Sequence, residues 1–217
     1  MRGFTLGASG LTPFGEEGKG GLPVRLFGVI LAGGQGRRMG GADKALLRLA
    51  GQTLLARAVG RLEPQVERLA INANGDASRF AALGLPVLAD ARSEGPLSGV
   101  LVGMDWAVAG GATAIVTVAV DCPFFPGDLV PQLALAAERS AGGVALARSG
   151  GDDHPTFGLW PVGLRDALRA FLASGEKPRV RAFADMHAAV RADFPDDGAF
   201  GNLNTPDDLA RAEALLA

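Results

Sequence analysis

The chain has no tyrosine, one cysteine, two histidines and no marked excess of either charge. A lone Cys122 excludes an internal disulfide, so a reducing cytoplasm is the expected compartment. Lys+Arg 21 against Asp+Glu 23 gives a net charge of -2, which offers no basic face for wrapping nucleic acid. A small anionic ligand is not excluded, because it needs only one local cluster. No apolar run approaches the ~20 residues that span a membrane, so no membrane association is expected. Only Lys19, Lys44 and Lys177 among the basic residues are lysines, and Lys44 stands in the most unusual segment of the chain.

At 217 residues and 48% hydrophobic, the chain can bury one substantial core and is short for two. Residues 1–24 hold seven glycines and two prolines with no hydrophobic period. They also lack the basic start and apolar stretch of a secretory signal. We read them as a flexible extension or a misplaced start, and the fold as residues 25–217.

From Arg25 onward, short apolar runs alternate with amphipathic segments. Residues 26–32, 69–71, 86–89 and 114–120 read as buried strands, and 143–147, 157–160 and 189–194 as weaker ones. Between them, Leu54, Leu55, Ala58, Val59 and Leu62 form one helical stripe, and 97–108, 129–137 and 164–172 behave similarly. Thr205-Pro206-Asp207-Asp208 announces the last helix: a cap, a proline in the first turn, and carboxylates at the positive dipole end. This order predicts a single α/β domain, a three-layer fold with a mostly parallel sheet.

Ligands of such sheets sit beyond the carboxyl ends of the strands. After the first strand comes Gly33-Gly34-Gln35-Gly36-Arg37-Arg38-Met39-Gly40-Gly41-Ala42-Asp43-Lys44. Five glycines in nine residues can turn backbone N–H groups toward one point, and Arg38 and Lys44 add charge, which together suit a polyphosphate. It is neither familiar phosphate loop. Met39 stands where a dinucleotide fingerprint needs glycine, and Ala42-Asp43 where a Walker loop needs lysine and a hydroxyl residue. Asn72 and Asn74 follow the second strand and suit a base edge or sugar hydroxyl; Asp90 follows the third. Asp121 ends the longest apolar run and is a candidate for Mg²⁺, which takes one or two carboxylates plus substrate phosphates. Cys122, followed by proline, reads as packing. His187 reads as surface or packing at a helix or its exit. Asp152-Asp153-His154-Pro155 reads equally as a loop with a satisfied histidine or as a pocket wall.

Leu31-Ala32-Gly33-Gly34-x-x-Arg37-Arg38-Met39-Gly40-x-x-Asp43-Lys44 resembles the signature of the molybdenum cofactor guanylyltransferases. The likeness continues through Asn72-Ala73-Asn74, Gly95-Pro96-Leu97-Ser98-Gly99, Val120-Asp121-Cys122-Pro123, Asp153-His154-Pro155-Thr156 and Phe200-Gly201-Asn202-Leu203-Asn204-Thr205-Pro206. It implies a Rossmann-like nucleotidyltransferase that moves GMP from GTP to the terminal phosphate of Mo-molybdopterin and releases pyrophosphate. By the same likeness, Leu31, Ala32, Gly33 and Gly34 would bind the nucleotide, Lys44 and Arg38 its phosphates, and Asn72 and Asp90 the nucleoside. Asp121 would hold Mg²⁺ and belong, with Arg38 and Lys44, to the catalytic set. Gly95, Gly99, His154, Asn202 and Asn204, with Arg179 or Arg181, would lie on the molybdopterin side. Gln35 and Gly36 depart from relatives that carry a small hydroxyl residue there, and Lys177-Pro178 disturbs the spacing near Arg179. Transient contacts with cofactor-supplying and cofactor-receiving proteins are also implied.

The chemistry agrees with that inventory. A phosphate monoester loses its second proton near pH ~6, so the nucleophile is ionised at neutral pH without a strong general base. What remains is positioning and charge neutralisation. Two rivals stand beside this reading. One is a cytidylyltransferase of the same cofactor, which more often carries Ala-Ala-Gly where this chain has Ala32-Gly33-Gly34. The other is a nucleotide- or cofactor-binding partner without turnover, against which Lys44 and Asp121 speak.

Overall fold

Leu26–Leu31 (β1), Arg68–Asn72 (β4) and Ala114–Ala119 (β6) are short, apolar and buried along almost their whole length. A strand covered on both faces must be apolar on both, and that requires helices on either side. The computed structural model describes residues 24–33, 43–90, 95–175, 177–195 and 198–216. Gly34 and Arg38, with most of the glycine-rich loop, lie outside the described residues, as does nearly all of the 1–24 segment.

Four further strands complete the main sheet: Val87–Leu88 (β5), Ala145–Ser149 (β7), Asp152–Pro161 (β8) and Val190–Phe194 (β9). The seven-stranded order is β5-β4-β1-β6-β8-β7-β9. β1 runs parallel to β4 and β6, β4 to β5, and β7 to β9; β8 is antiparallel to both its neighbours. A two-stranded ribbon, Arg48–Leu49 (β2) with Gln52–Thr53 (β3), stands apart.

The helices are Leu54–Leu62 (α1), Pro96–Ala109 (α2), Leu129–Ala137 (α3), Arg165–Ala173 (α4), Val180–Met186 (α5) and Pro206–Ala214 (α6). Two cores result, one on each face of the sheet. One gathers α1, α3 and α6 around Ile30, Ile71, Val116 and Val118. The other gathers α2, α4 and α5 around Phe27, Val29, Ile115 and Trp160. Trp160 is fully buried and spends its indole N–H on Thr117 Oγ1 at 3.0 Å, so no polar atom is stranded there. Among the described residues no helix is long and apolar enough to cross a membrane.

The structure corrects the sequence reading in four places. Asp152–Pro155 opens β8 and is not a loop; Pro155 falls where the β7–β8 register shifts, a position that does not need its missing N–H. The weak strand expected at 143–147 runs two residues later, at Ala145–Ser149. α5 was not recognised, because its seven residues are too few to show a period. The β2–β3 ribbon was missed because each strand has two residues and the turn is Ala50-Gly51, both at positive φ (46° and 81°), with alanine in place of the usual asparagine.

Candidate active site

β1 is flanked by β4 on one side and β6 on the other, so the chain reverses its direction of travel across the sheet at β1 and β6. Their carboxyl ends splay connections to opposite sides and leave a crevice, the usual ligand position of open α/β sheets. Ala32 and Gly33 leave β1 there, and Asp121 stands two residues beyond β6. Backbone bonds hold the rim together: Ala32 N donates to Asn72 O at 2.9 Å and Val120 N to Leu31 O at 3.2 Å.

Three distant segments meet in this crevice. Lys44 Nζ donates to Asp121 Oδ2 at 3.0 Å and to Asn204 Oδ1. The Lys44 and Asp121 side chains keep about a fifth of their surface exposed (22% and 23%), so both can reach a ligand. Local sequence places each of them. Asp43 caps the short 3-10 turn Lys44–Leu46 by accepting from Ala45 N at 3.0 Å. Thr205 and Asp208 form the capping box of α6, and Asp208 Oδ2 also accepts from Asn204 N at 3.0 Å. Those bonds hold the Asp208 carboxyl below its ordinary range, the Thr205 hydroxyl contributing most. The helix cap foreseen in the sequence therefore fixes the backbone of a site residue.

Asn202 and Asn204, expected on the molybdopterin side, are brought against Lys44, Asp121 and Cys122. Leu203 N donates to Asp121 O at 2.8 Å, and Cys122 Sγ contacts Asn202 Oδ1 at 2.7 Å. Burial, followed by the Asp121 charge, pushes the Cys122 thiol far above its ordinary value, so this sulfur is a packing group and no nucleophile.

At the other end of the crevice, Asn72 is buried and donates to Leu88 O at 3.0 Å. Asn74 pairs with Asp90, accepting from Asp90 N at 2.9 Å and donating to the Asp90 carboxylate. Arg79, not singled out in the sequence, donates to Asn74 O at 2.7 Å and to Asp43 Oδ2 at 2.7 Å. It lies in a 3-10 segment, Ala77–Leu83, without hydrophobic period, so no sequence signal distinguished it. Gly99, which the resemblance places toward molybdopterin, packs onto Asn72 and Leu31. Gly95 caps α2 at φ 97°, and among the described residues nothing lies within 4 Å of the Cβ position.

Because β8 is antiparallel, its amino end lies at the rim where its neighbours' carboxyl ends lie, which puts His154 there. The imidazole bonds Ser149 Oγ through Nε2 at 2.8 Å and stacks on Phe200, with centroids 4.5 Å apart and planes 12° from parallel. Burial lowers its pKa, against the pull of Asp152 and Asp153, so it is neutral at pH 7. Burial alone would raise the Asp153 carboxyl, but hydrogen bonds from Arg191 and Arg148 override it and hold the group ionised. Arg181 also reaches Asp153, at 3.3 Å; Arg179 is exposed at the amino end of α5.

Comparison with known proteins gives three kinds of match. The MobA-like NTP transferase domain family matches residues 28–190. A molybdenum cofactor guanylyltransferase of Cereibacter sphaeroides is 61% identical over 193 residues, covering 89% of this chain and 98% of that protein. One of Mesorhizobium japonicum is 49% identical, covering 88% and 96%. Among solved structures, molybdopterin-guanine dinucleotide biosynthesis protein A from Archaeoglobus fulgidus superposes with a TM-score of 0.68 at 20% identity, covering 88% and 98%. A 4-diphosphocytidyl-2C-methyl-D-erythritol synthase from Anaerococcus prevotii superposes with a TM-score of 0.72 at 11% identity, covering 89% and 96%; at such identities the likeness concerns the fold.

Proposed function

Because the chain belongs to the MobA-like NTP transferases and is a nucleotidyltransferase of that family, we propose that it transfers GMP from GTP to the terminal phosphate of Mo-molybdopterin. The observation that carries this reading is the convergence of Lys44, Asp121 and Asn204 at the β1/β6 crevice, beside the asparagines that suit a nucleoside.

An oxygen of the acceptor phosphate attacks the α-phosphorus of GTP. A P–O–P bond forms, the bond between the α-phosphorus and its bridging oxygen breaks, and pyrophosphate leaves. The nucleophile is already anionic, so the protein's task is to align two anions and neutralise charge at the α-phosphate. Lys44 supplies a cation to the phosphates, while Asn72 and the Asn74–Asp90 pair face the nucleoside. The 202–204 segment, docked on Asp121 and Cys122, lies where nucleotide and acceptor meet.

Among the described residues no group of three His, Cys, Asp or Glu could hold a metal by itself. A single part-exposed carboxylate fits Mg²⁺ held jointly with substrate phosphates, and Asp121 is that carboxylate. Bound there, Mg²⁺ would withdraw charge from the reacting phosphates. A cytoplasmic setting and brief contacts with cofactor-supplying and cofactor-receiving proteins accord with this reading.

The test is pyrophosphate release from GTP, CTP and ATP with Mg²⁺, each with and without Mo-molybdopterin. Release from GTP only when the pterin is present supports the proposal. Release from CTP reverses the base assignment. Nucleotide binding without release from any of the three identifies a partner protein without turnover.

A further inference from the structure

We infer that Arg79 is a positioning residue that sets the distance between the nucleoside-binding strand ends and the phosphate-binding Lys44. The inference rests on the nucleotide reading of the crevice. The Arg79 guanidinium ties the end of β4 to Asp43, which lies 36 residues before Arg79 in the sequence. Its Nε donates to Asp43 Oδ2 at 2.7 Å and its Nη2 to Asn74 O at 2.7 Å, while Nη1 returns to Asp76 O in its own turn. The contacts to Asp43 and Asn74 each lead to a candidate site group. Asp43 adjoins Lys44 and caps its turn with the other carboxylate oxygen. Asn74 grips Asp90 through both ends of its amide. A continuous path, Asp90–Asn74–Arg79–Asp43–Lys44, therefore spans the crevice from nucleoside end to phosphate end.

Charge gives Arg79 a second effect at the same place. The cap at the Lys44 turn is a carboxylate, and an uncompensated anion beside Lys44 opposes a triphosphate. Arg79 cancels that charge without releasing the cap, since it bonds Oδ2 and leaves Oδ1 to Ala45. The guanidinium spreads its donors over three nitrogens in a rigid plane and so reaches three separated acceptors, whereas a lysine gathers its three donors on one nitrogen. The Arg79 side chain also lies over the Phe80 ring, 4.3 Å from its centroid, which limits its rotamers.

The experiment measures binding of GTP and of guanosine to the full chain by calorimetry, for wild type, Arg79→Ala and Arg79→Lys. Guanosine reports the nucleoside end alone, and GTP reports both ends at the separation Arg79 sets. For Arg79→Ala, GTP binding is expected to weaken at least about tenfold, as for loss of charge-assisted hydrogen bonds, while guanosine binding changes less than about twofold. If Arg79→Ala does not fold, Arg79→Lys carries the test, with a loss of several-fold confined to GTP. Equal losses for both ligands, or none, would overturn the inference and reduce Arg79 to a structural residue. A wild-type protein that binds GTP no better than guanosine would instead remove the nucleotide reading itself, and the role of Arg79 with it.

Discussion

Gly99→Ala tests the packing around Asn72 most directly. A Cβ at this position would lie 2.3 Å from Asn72 Oδ1 and 2.8 Å from Leu31 Cδ2. Neither neighbour can simply yield: Leu31 is buried in β1, and Asn72 is buried and bonded to Leu88 O at 3.0 Å. Relief of the closest contact requires Asn72 to move by roughly 1 Å, which breaks that bond. Overpacking of this kind costs about 1–3 kcal/mol. The broken buried hydrogen bond adds about 1 kcal/mol. The sum, ~2–4 kcal/mol, is readable by urea unfolding followed through Trp106 and Trp160 fluorescence. On the proposal that Asn72 contacts the nucleoside, KM for GTP should rise about tenfold if ~1.4 kcal/mol of contact is lost. Gly95→Ala differs in cause: among the described residues nothing lies within 4 Å of its added Cβ, and its φ of 97° imposes backbone strain of about 1–3 kcal/mol. A Gly99→Ala protein within about 0.5 kcal/mol of wild type, with unchanged KM, would refute the packing argument.

Asp121→Ala should lower turnover by at least about 10²-fold, by analogy with other preorganised groups, with little loss of thermal stability; retained turnover removes Asp121 from the reaction. His154 is neutral in the fold because burial lowers its pKa, so its contribution is complete above the unfolded value and declines as pH falls below it. His154→Phe keeps the stack on Phe200 without a titrating group, so its Tm should gain on wild type between pH 7.5 and 5.5; a constant difference would contradict the assignment. Cys122, 1% exposed and with its thiol pushed up by burial, should resist iodoacetamide at pH 8 and react only after denaturation, which intact mass reports.

Much of the rim was legible in the sequence, because strand ends follow from apolar runs and the residues after them line it. Asn72, Asp90 and Asp121 were located in that way. Residues held by long-range contact were not. Arg79 carries no pattern of its own, and its importance lies in meeting Asp43 and Asn74. Phe200 was quoted within a motif, yet its stack on His154 depends on β8 running against its neighbours.

Hydrophobic period and turn chemistry act locally, so the sequence by itself determined most of the longer strands and helices, the three-layer class, the capping box at Thr205 and the order of the motifs, but not the short α5 or the β2–β3 ribbon. It did not determine pairing partners, because an apolar strand is satisfied by any neighbour that covers it. Tertiary structure decided that β6 returns beside β1, that β8 reverses, and that Lys44, Asp121 and Asn204 share one crevice. The physical reason is that backbone hydrogen bonding and burial are optimised over the whole sheet, and only that global solution sets the distance between groups far apart in the chain.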